Sequence, residues 1–287
     1  MTTSRRTAST SPAARITAAI IEKLEQGTKP WVKPWRGVPV SRPLRSCGTP
    51  YRGMNTFWLW MVADGCGYAS PYWMTYRQCQ AIGGQVRKGE KSTIAIFYRS
   101  YTKEVENAEG EADTENCRVL KAYAVFNADQ CDGLPEFYHP KPLVAALEPE
   151  GREDRLDAFF AHIGADLRHH GAQAYYEPRR DRVTMPPAEL FAAYDHYYTT
   201  LAHELSHWTG HSSRLDRDLK NRFGSDAYAA EELIAEPSSA ILGAELGLPV
   251  AHLDHHASYI ASWLSIVKSD ERAILTAAAK AEEAASL

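Results

Sequence analysis

A chain of 287 residues is long enough for two ordinary domains, each burying its own hydrophobic core. Its 44% hydrophobic and 24% charged residues are those of a soluble globular protein. No apolar run approaches the roughly 20 residues needed to cross a bilayer, which excludes a helical membrane protein. The net charge of -4 conceals a division: residues 1–103 hold 16 Lys/Arg against Glu22, Glu25, Asp64 and Glu90, and the remainder holds 16 against 32 acids. A first half at +12 suits a polyanion, and a second half at -16 does not.

Met1 to Thr10 is polar and lacks an apolar signal core, so a cytoplasmic protein is expected. Five cysteines at irregular spacing, without a C-x-x-C pair, read as reduced and mostly buried. Ser11-Pro12 predicts a helix start, and Ile16, Ala19, Ile20 and Leu24 give that helix one apolar face up to Gln26-Gly27. Prolines then forbid helix from Lys29 to Arg36, leaving a loop on which Trp31 and Trp35 stand beside Lys29, Lys33 and Arg36. A helix is predicted over 55–63 and a short one over 75–82, ended by Gly83-Gly84. A basic turn follows at Val86–Lys91, then strands over 92–101 and 118–126 around an acidic hairpin tip at 104–115.

These elements make an α+β first domain, residues 1–134, joined by a proline-rich linker at 135–150 to a mostly helical second domain, 151–287. In the second domain a helical pattern covers 152–170, a β element covers 175–184, and helices follow from Pro187 onward.

Five of the seven tryptophans lie in the basic segment. Aromatic faces stack on unpaired bases while cations follow phosphates, so single-stranded nucleic acid is the expected partner. Trp58 and Trp60 read as core; Trp31 and Trp35 with their neighbouring cations are the expected contacts, and Arg87, Lys88 and Lys91 are candidate phosphate ligands.

The second half contains His203-Glu204-Leu205-Ser206-His207. Residues four apart on a helix share a face about 6 Å along the axis, so the two imidazoles can meet one ion with Glu204 beside them as general base. Among candidates for a third ligand, His196 is about 10 Å of helix rise away, and His211 can reach only if the chain folds back at Gly210. Glu231 and Glu232 remain open, on a helix predicted to start near Ser225-Asp226. Tyr228, Tyr259 and His255 are candidate oxyanion donors, none of them singled out.

Glu232-Leu-Ile-Ala235-Glu236 resembles the E-x-x-A-D element of glutamate-type zincins. That resemblance implies Glu232 as the third ligand and Glu236, with Glu where Asp is usual, as the acid that orients a ligand histidine. Pro237 departs from the pattern and predicts a kink.

Several separated motifs resemble ArdC-type antirestriction proteins in the family's own order. Pro30-Trp31 with Pro34-Trp35, Tyr51-Arg52-Gly53-Met54-Asn55, Gly83-Gly84 before Val86–Lys91, and Val125-Phe126-Asn127 resemble the family's N-terminal single-stranded-DNA-binding domain, which also opens a plasmid TraC primase. His203 to His211, Arg214-Leu215, Phe223-Gly224-Ser225 and Glu231 to Glu236 resemble its metallopeptidase-like domain. The resemblance implies a plasmid-borne protein that protects incoming DNA from host restriction. It also implies Zn²⁺ or another divalent ion such as Mn²⁺, a host restriction component as candidate protein substrate, and Arg52 among the DNA contacts. Two rival readings stay open: a metal kept only for structure, and a basic half that grips an acidic protein.

Overall fold

The computed structural model describes residues 11–27, 41–106, 112–139, 151–217, 226–248, 260–270 and 272–287. Lys29, Trp31, Lys33, Trp35, Arg36, His255 and Tyr259 lie outside the described residues, as do 140–150 of the expected linker.

The first helix, α1 (Pro12–Glu25), begins as its sequence predicts: the Ser11 hydroxyl accepts from the Ala14 N–H at 3.1 Å, and Pro12 fills the first turn. Then come β1 (Leu44–Arg45), α2 (Met54–Cys66), β2 (Tyr72–Met74), α3 (Tyr76–Ala81), β3 (Gln85–Val86), β4 (Thr93–Glu106), β5 (Ala112–Asn127) and β6 (Cys131–Asp132). A Thr75/Gln78 capping box starts α3. The main sheet has the order β1-β2-β5-β4, and β3 pairs with β6.

The β4–β5 ladder runs unbroken from Thr93↔Val125 to Glu106↔Ala112, so most of the acidic stretch read as a turn is strand. Ladder hydrogen bonds are made by the backbone and need no apolar side chain, so hydrophobic patterning ends before the strands do. Glu136–Tyr138 forms a 3₁₀ turn with Tyr138 buried and its hydroxyl donating to Ser46 O at 2.7 Å, which attaches the start of the expected linker to the first domain.

In the second domain α4 (Arg152–His162) is shorter than the predicted helix. Gly164, at φ 73°, ends it, and Leu167 belongs to a strand, β7 (Asp166–His169). With β8 (Tyr175–Glu177) and β9 (Arg182–Met185) this strand forms a sheet of order β7-β9-β8. Four helices follow: α5 (Tyr194–Trp208), α6 (Asp226–Leu246), α7 (Ile260–Ser269) and α8 (Ala273–Ala285). The α6 helix continues through Pro237. Of the four cysteines whose side chains are described, Cys79 and Cys131 are buried as expected, whereas Cys47 and Cys66 are exposed.

Each domain has apolar clusters of its own. Tyr51, Leu59, Trp73 and Val125 pack in the first, and Leu156, Val183, Tyr198, Leu201 and Leu205 in the second. A further cluster is shared: Ile16, Ile20 and Leu24 of α1 and Phe57 and Trp60 of α2 pack with Leu233 and Ile241 of α6, Trp263 of α7 and Ala278 of α8. The apolar face of α1 therefore packs on the C-terminal helices as well as on its own domain.

A buried ion cluster crosses the same boundary. Arg42, 7% exposed, donates to Glu282 at 2.7 and 2.8 Å, to Glu245 at 2.7 Å and to Tyr51 O at 2.8 Å, while the Gly53 N–H donates to Glu282 at 3.1 Å. Removing one partner of such a cluster strands the other's charge in the interior. Arg42→Met is expected to lower the free energy of unfolding by about 3–5 kcal/mol, measured by urea denaturation.

Candidate metal centre

The histidine-bearing helix α5 is held on both sides. Tyr197, Tyr198, Leu201 and Leu205 face the second domain's cluster, and the opposite side meets α6. At its start Asp195 lies in the first turn, favourable to the helix dipole, and accepts from Arg152 at 2.6 Å. At its end the Arg214 guanidinium stacks 3.6 Å from the centre of the Trp208 ring and donates through Nε to Trp208 O at 2.7 Å. Arg214 is also clamped by the carboxylate of Asp181, to which the Tyr176 hydroxyl donates at 2.8 Å, so the β8–β9 turn is tied to the end of α5.

This frame brings His203, His207 and Glu232 together, all buried, with Glu232 only 1% exposed. His203 Nε2 and His207 Nε2 are 3.2 Å apart. The Glu232 oxygens lie 3.5 Å from His203 Nε2 and 3.5 Å from His207 Nε2. A tetrahedral ion with ligands at about 2.0–2.1 Å separates any two of them by about 3.3–3.4 Å. Two imidazole nitrogens and a carboxylate at that spacing have both the chemistry and the geometry of three ligands to one divalent ion.

The electrostatics agree. Burial pushes the His207 imidazole down, but Glu232, Glu231 and Glu204 outweigh it and hold the ring well above its ordinary value. Burial likewise pushes Glu232 up, but His207, His203 and the Tyr228 hydroxyl leave its carboxyl well below the usual range. Tyr228, one of the candidate oxyanion donors, thus bonds a candidate ligand. Glu204 is buried next to His203, and Glu236 is buried one turn beyond Glu232.

The carboxylate on the outer nitrogen of His207 is Glu231, whose Oε1 lies 3.3 Å from Nδ1. Glu231 is held in turn by buried Arg217, through Nε at 3.0 Å and Nη2 at 2.8 Å. Arg217 also donates to Thr209 Oγ1 at 2.9 Å and to Ser206 O at 2.6 Å. The chain does fold back after Gly210, but it delivers Arg217 to the site, while His211 pairs with Ser213 Oγ at 2.8 Å. A Cβ at Gly210 would stand 2.9 Å from Arg217 Nη2 and 3.0 Å from its Cζ, so a side chain at this position has no room while Arg217 stays in place. Sequence reasoning weighed Glu231 only as a ligand and passed over Arg217; nothing local to residue 217 signals its return.

Of the expected DNA contacts that are described, Arg52 is exposed and 3.7 Å from Glu282. Arg87 pairs with Glu90 at 3.0 Å and Asp132 at 3.3 Å, and Lys88 and Lys91 are exposed without an ion pair among the described residues. Trp60 and Trp73 are buried, and Trp58 packs against the core with its Nε1 donating to Ile94 O at 2.8 Å.

Residues 11–126 match the family model for the N-terminal domain of the anti-restriction factor ArdC, and residues 154–280 match that for a zincin-like metallopeptidase. The crystal structure of the metal-free antirestriction ArdC protein from plasmid R388 is similar at a TM-score of 0.80 and 46% identity, covering 96% of this chain and 95% of that one. The chain belongs to the ArdC antirestriction family. The Mn(II)-bound form of the R388 ArdC protein gives a TM-score of 0.77 at 45% identity over the same shares. An uncharacterised protein of Sinorhizobium fredii, y4eC, is 42% identical over 94% of this chain and 89% of its own length. DNA primase TraC of Escherichia coli is 41% identical over 94% of this chain, which spans 26% of that primase. For this ArdC-family chain a divalent metal is the cofactor that the zincin-like domain and the converging donor set support.

Two predictions follow from the supporting contacts. Arg217→Met removes the group that holds Glu231 on His207, and affinity for Zn²⁺ or Mn²⁺ is expected to fall about 10- to 100-fold in a chelator-competition titration. The second concerns Asp181, whose carboxyl the Arg214 guanidinium holds below its ordinary value despite partial burial. Its stabilising contribution is full above the unfolded pKa of about 3.9 and is lost as pH falls through the lower folded value. Asp181→Asn is therefore expected to destabilise the protein at pH 7 and to flatten the acid limb of its stability curve, read from denaturation midpoints across pH.

Proposed function

We propose that this chain is an antirestriction protein that protects incoming plasmid DNA, with a first domain that binds single-stranded DNA and a second that is a metal-dependent peptidase. The observation that carries the peptidase half is the triangle of His203 Nε2, His207 Nε2 and the Glu232 carboxylate, with edges of 3.2, 3.5 and 3.5 Å. In this reading these three residues hold Zn²⁺ or Mn²⁺. Such an ion, when bound, polarises a substrate carbonyl and brings the pKa of water toward about 7. The Glu204 carboxylate accepts a proton from the attacking water and passes it to the departing amine nitrogen. Glu231, fixed by Arg217, keeps the His207 ring turned with Nε2 inward, and Glu236 is the candidate for the same service to a ligand histidine. The candidate substrate is a protein component of the host restriction apparatus.

The DNA half rests on family membership and on the +12 charge of residues 1–103. A second reading has an observation in its favour. His203 is 5% exposed and Glu204 8%, and such enclosure is typical of a metal kept for structure.

Glu204→Gln separates the two, because it is isosteric and leaves the three ligands in place. Protection of transferred plasmid DNA in a restricting recipient is expected to be lost, with oligonucleotide binding and metal content unchanged. Any proteolysis should fall about 10²- to 10⁴-fold. Full protection by the variant would assign the metal to structure.

A further inference from the structure

The ring-bearing face of the main sheet ends in a cation that forms no ion pair among the described residues. Arg45, on β1, lays its guanidinium 5.6 Å from the centre of the Tyr51 ring and 5.0 Å from that of Phe97. Its Nε is buried and makes no hydrogen bond, and no carboxylate forms an ion pair with it among the described residues. Arg42, Arg52 and Arg87 in the same domain all pair with acids.

From this cation the aromatic rings step outward. Tyr51 is 3% exposed and lies 6.1 Å from Phe97, which is half-buried. Phe97 meets Tyr123 edge-on at 5.4 Å, and Tyr123 is 44% exposed. Lys121 is exposed directly across the ladder from Phe97, and Val119, Lys121 and Tyr123 share one face of β5 by strand alternation. Tyr68 packs on the same cluster.

We infer that the face formed by Arg45, Phe97, Lys121 and Tyr123 is a stacking platform for single-stranded DNA, with Tyr123 under a base and Arg45 and Lys121 on phosphates. The inference rests on the single-strand reading above and gives it a location. An exposed ring joined through Phe97 to a guanidinium that forms no ion pair among the described residues suits a ligand that alternates flat π faces with negative charge. A single strand does so; a duplex keeps its base faces stacked internally. The acidic residues Glu104, Glu106, Asp113 and Glu115 fall six or more ladder positions from Phe97, about 20 Å or more at a rise of 3.3 Å per residue. The platform is built from other residues than the tryptophan loop that the sequence favoured.

Binding of fluorescent oligo-dT to the full chain, followed by anisotropy across a salt series, tests this. Tyr123→Ala is expected to weaken binding between about fivefold and a hundredfold, the range for loss of one stacked base. Tyr123→Phe should bind like wild type. Arg45→Met should bind more weakly, with a log-log salt slope shallower by about 0.7. Phe137→Ala serves as control: that exposed ring packs on Tyr72, which points to the opposite side of the sheet from Trp73, and its loss should change nothing. Tyr123 is exposed, so its variants fold even if Arg45→Met does not, and thermal melts verify this. Wild-type binding that Tyr123→Ala leaves intact overturns the platform, as does displacement by poly-glutamate as effective as by unlabelled oligo-dT. No wild-type binding at low salt overturns the single-strand reading itself.

Discussion

Three carboxylates and two imidazoles buried between a pair of helices cannot stay together without positive charge. Glu204, Glu231 and Glu232 are all buried around His203 and His207, and among the described residues Arg217 is a fixed cation that reaches this group, through Glu231. Leaving so many acids in a low-dielectric interior is costly unless each is paired. Glu232, Glu231 and Glu204 outweigh burial and hold the His207 imidazole well above its ordinary value, so a proton there supplies part of the balance. A divalent ion supplies it more completely and at the spacing the donors already have. The close approach of Gly210 to Arg217, the return of the chain after α5 and the stacking of Arg214 on Trp208 all keep that donor set in register.

The α6 helix connects this site to the rest of the molecule. One side carries Glu231 and Glu232, and another contributes Leu233, Ile241 and their neighbours to the core shared with α1 and α2. The buried Arg42–Glu282 pair fastens the same boundary from α8. The two domains thus share packed side chains, and the helix that bears the third donor is also a wall of the interdomain core.

Much of this was legible in the sequence. The Ser11-Pro12 start of α1, the short helix stopped before Gly83-Gly84 and the spacing of His203 and His207 depend on local chemistry, and each lies where the residues indicated. The helix predicted over 152–170 failed after Ile163 because apolar residues at helical spacing cannot signal that Gly164 will turn left-handed and leave Leu167 to a strand. The acidic end of the β4–β5 ribbon was missed because charged residues carry no alternation in hydrophobicity. Within the site, Glu231 and Glu232 are adjacent and chemically identical, so only the packing of α6 on α5 assigns one to both inner nitrogens and the other to Nδ1 of His207. Arg217 was invisible because its role arises from a chain reversal, not from its neighbours. The shared core was also beyond reach, since an apolar helical face states that it will be buried and not against what.

The central claim is that two imidazoles and one carboxylate of this chain close on a single divalent ion. X-ray absorption at the metal edge of protein loaded with Zn²⁺, taken with the metal-to-protein ratio, addresses it most directly. The account predicts one ion per chain, with two imidazole nitrogens at about 2.0–2.1 Å and carboxylate oxygen at about 2.0–2.2 Å. Sulfur in the coordination shell, an ion bound by oxygen alone, or a ratio well below one would contradict it.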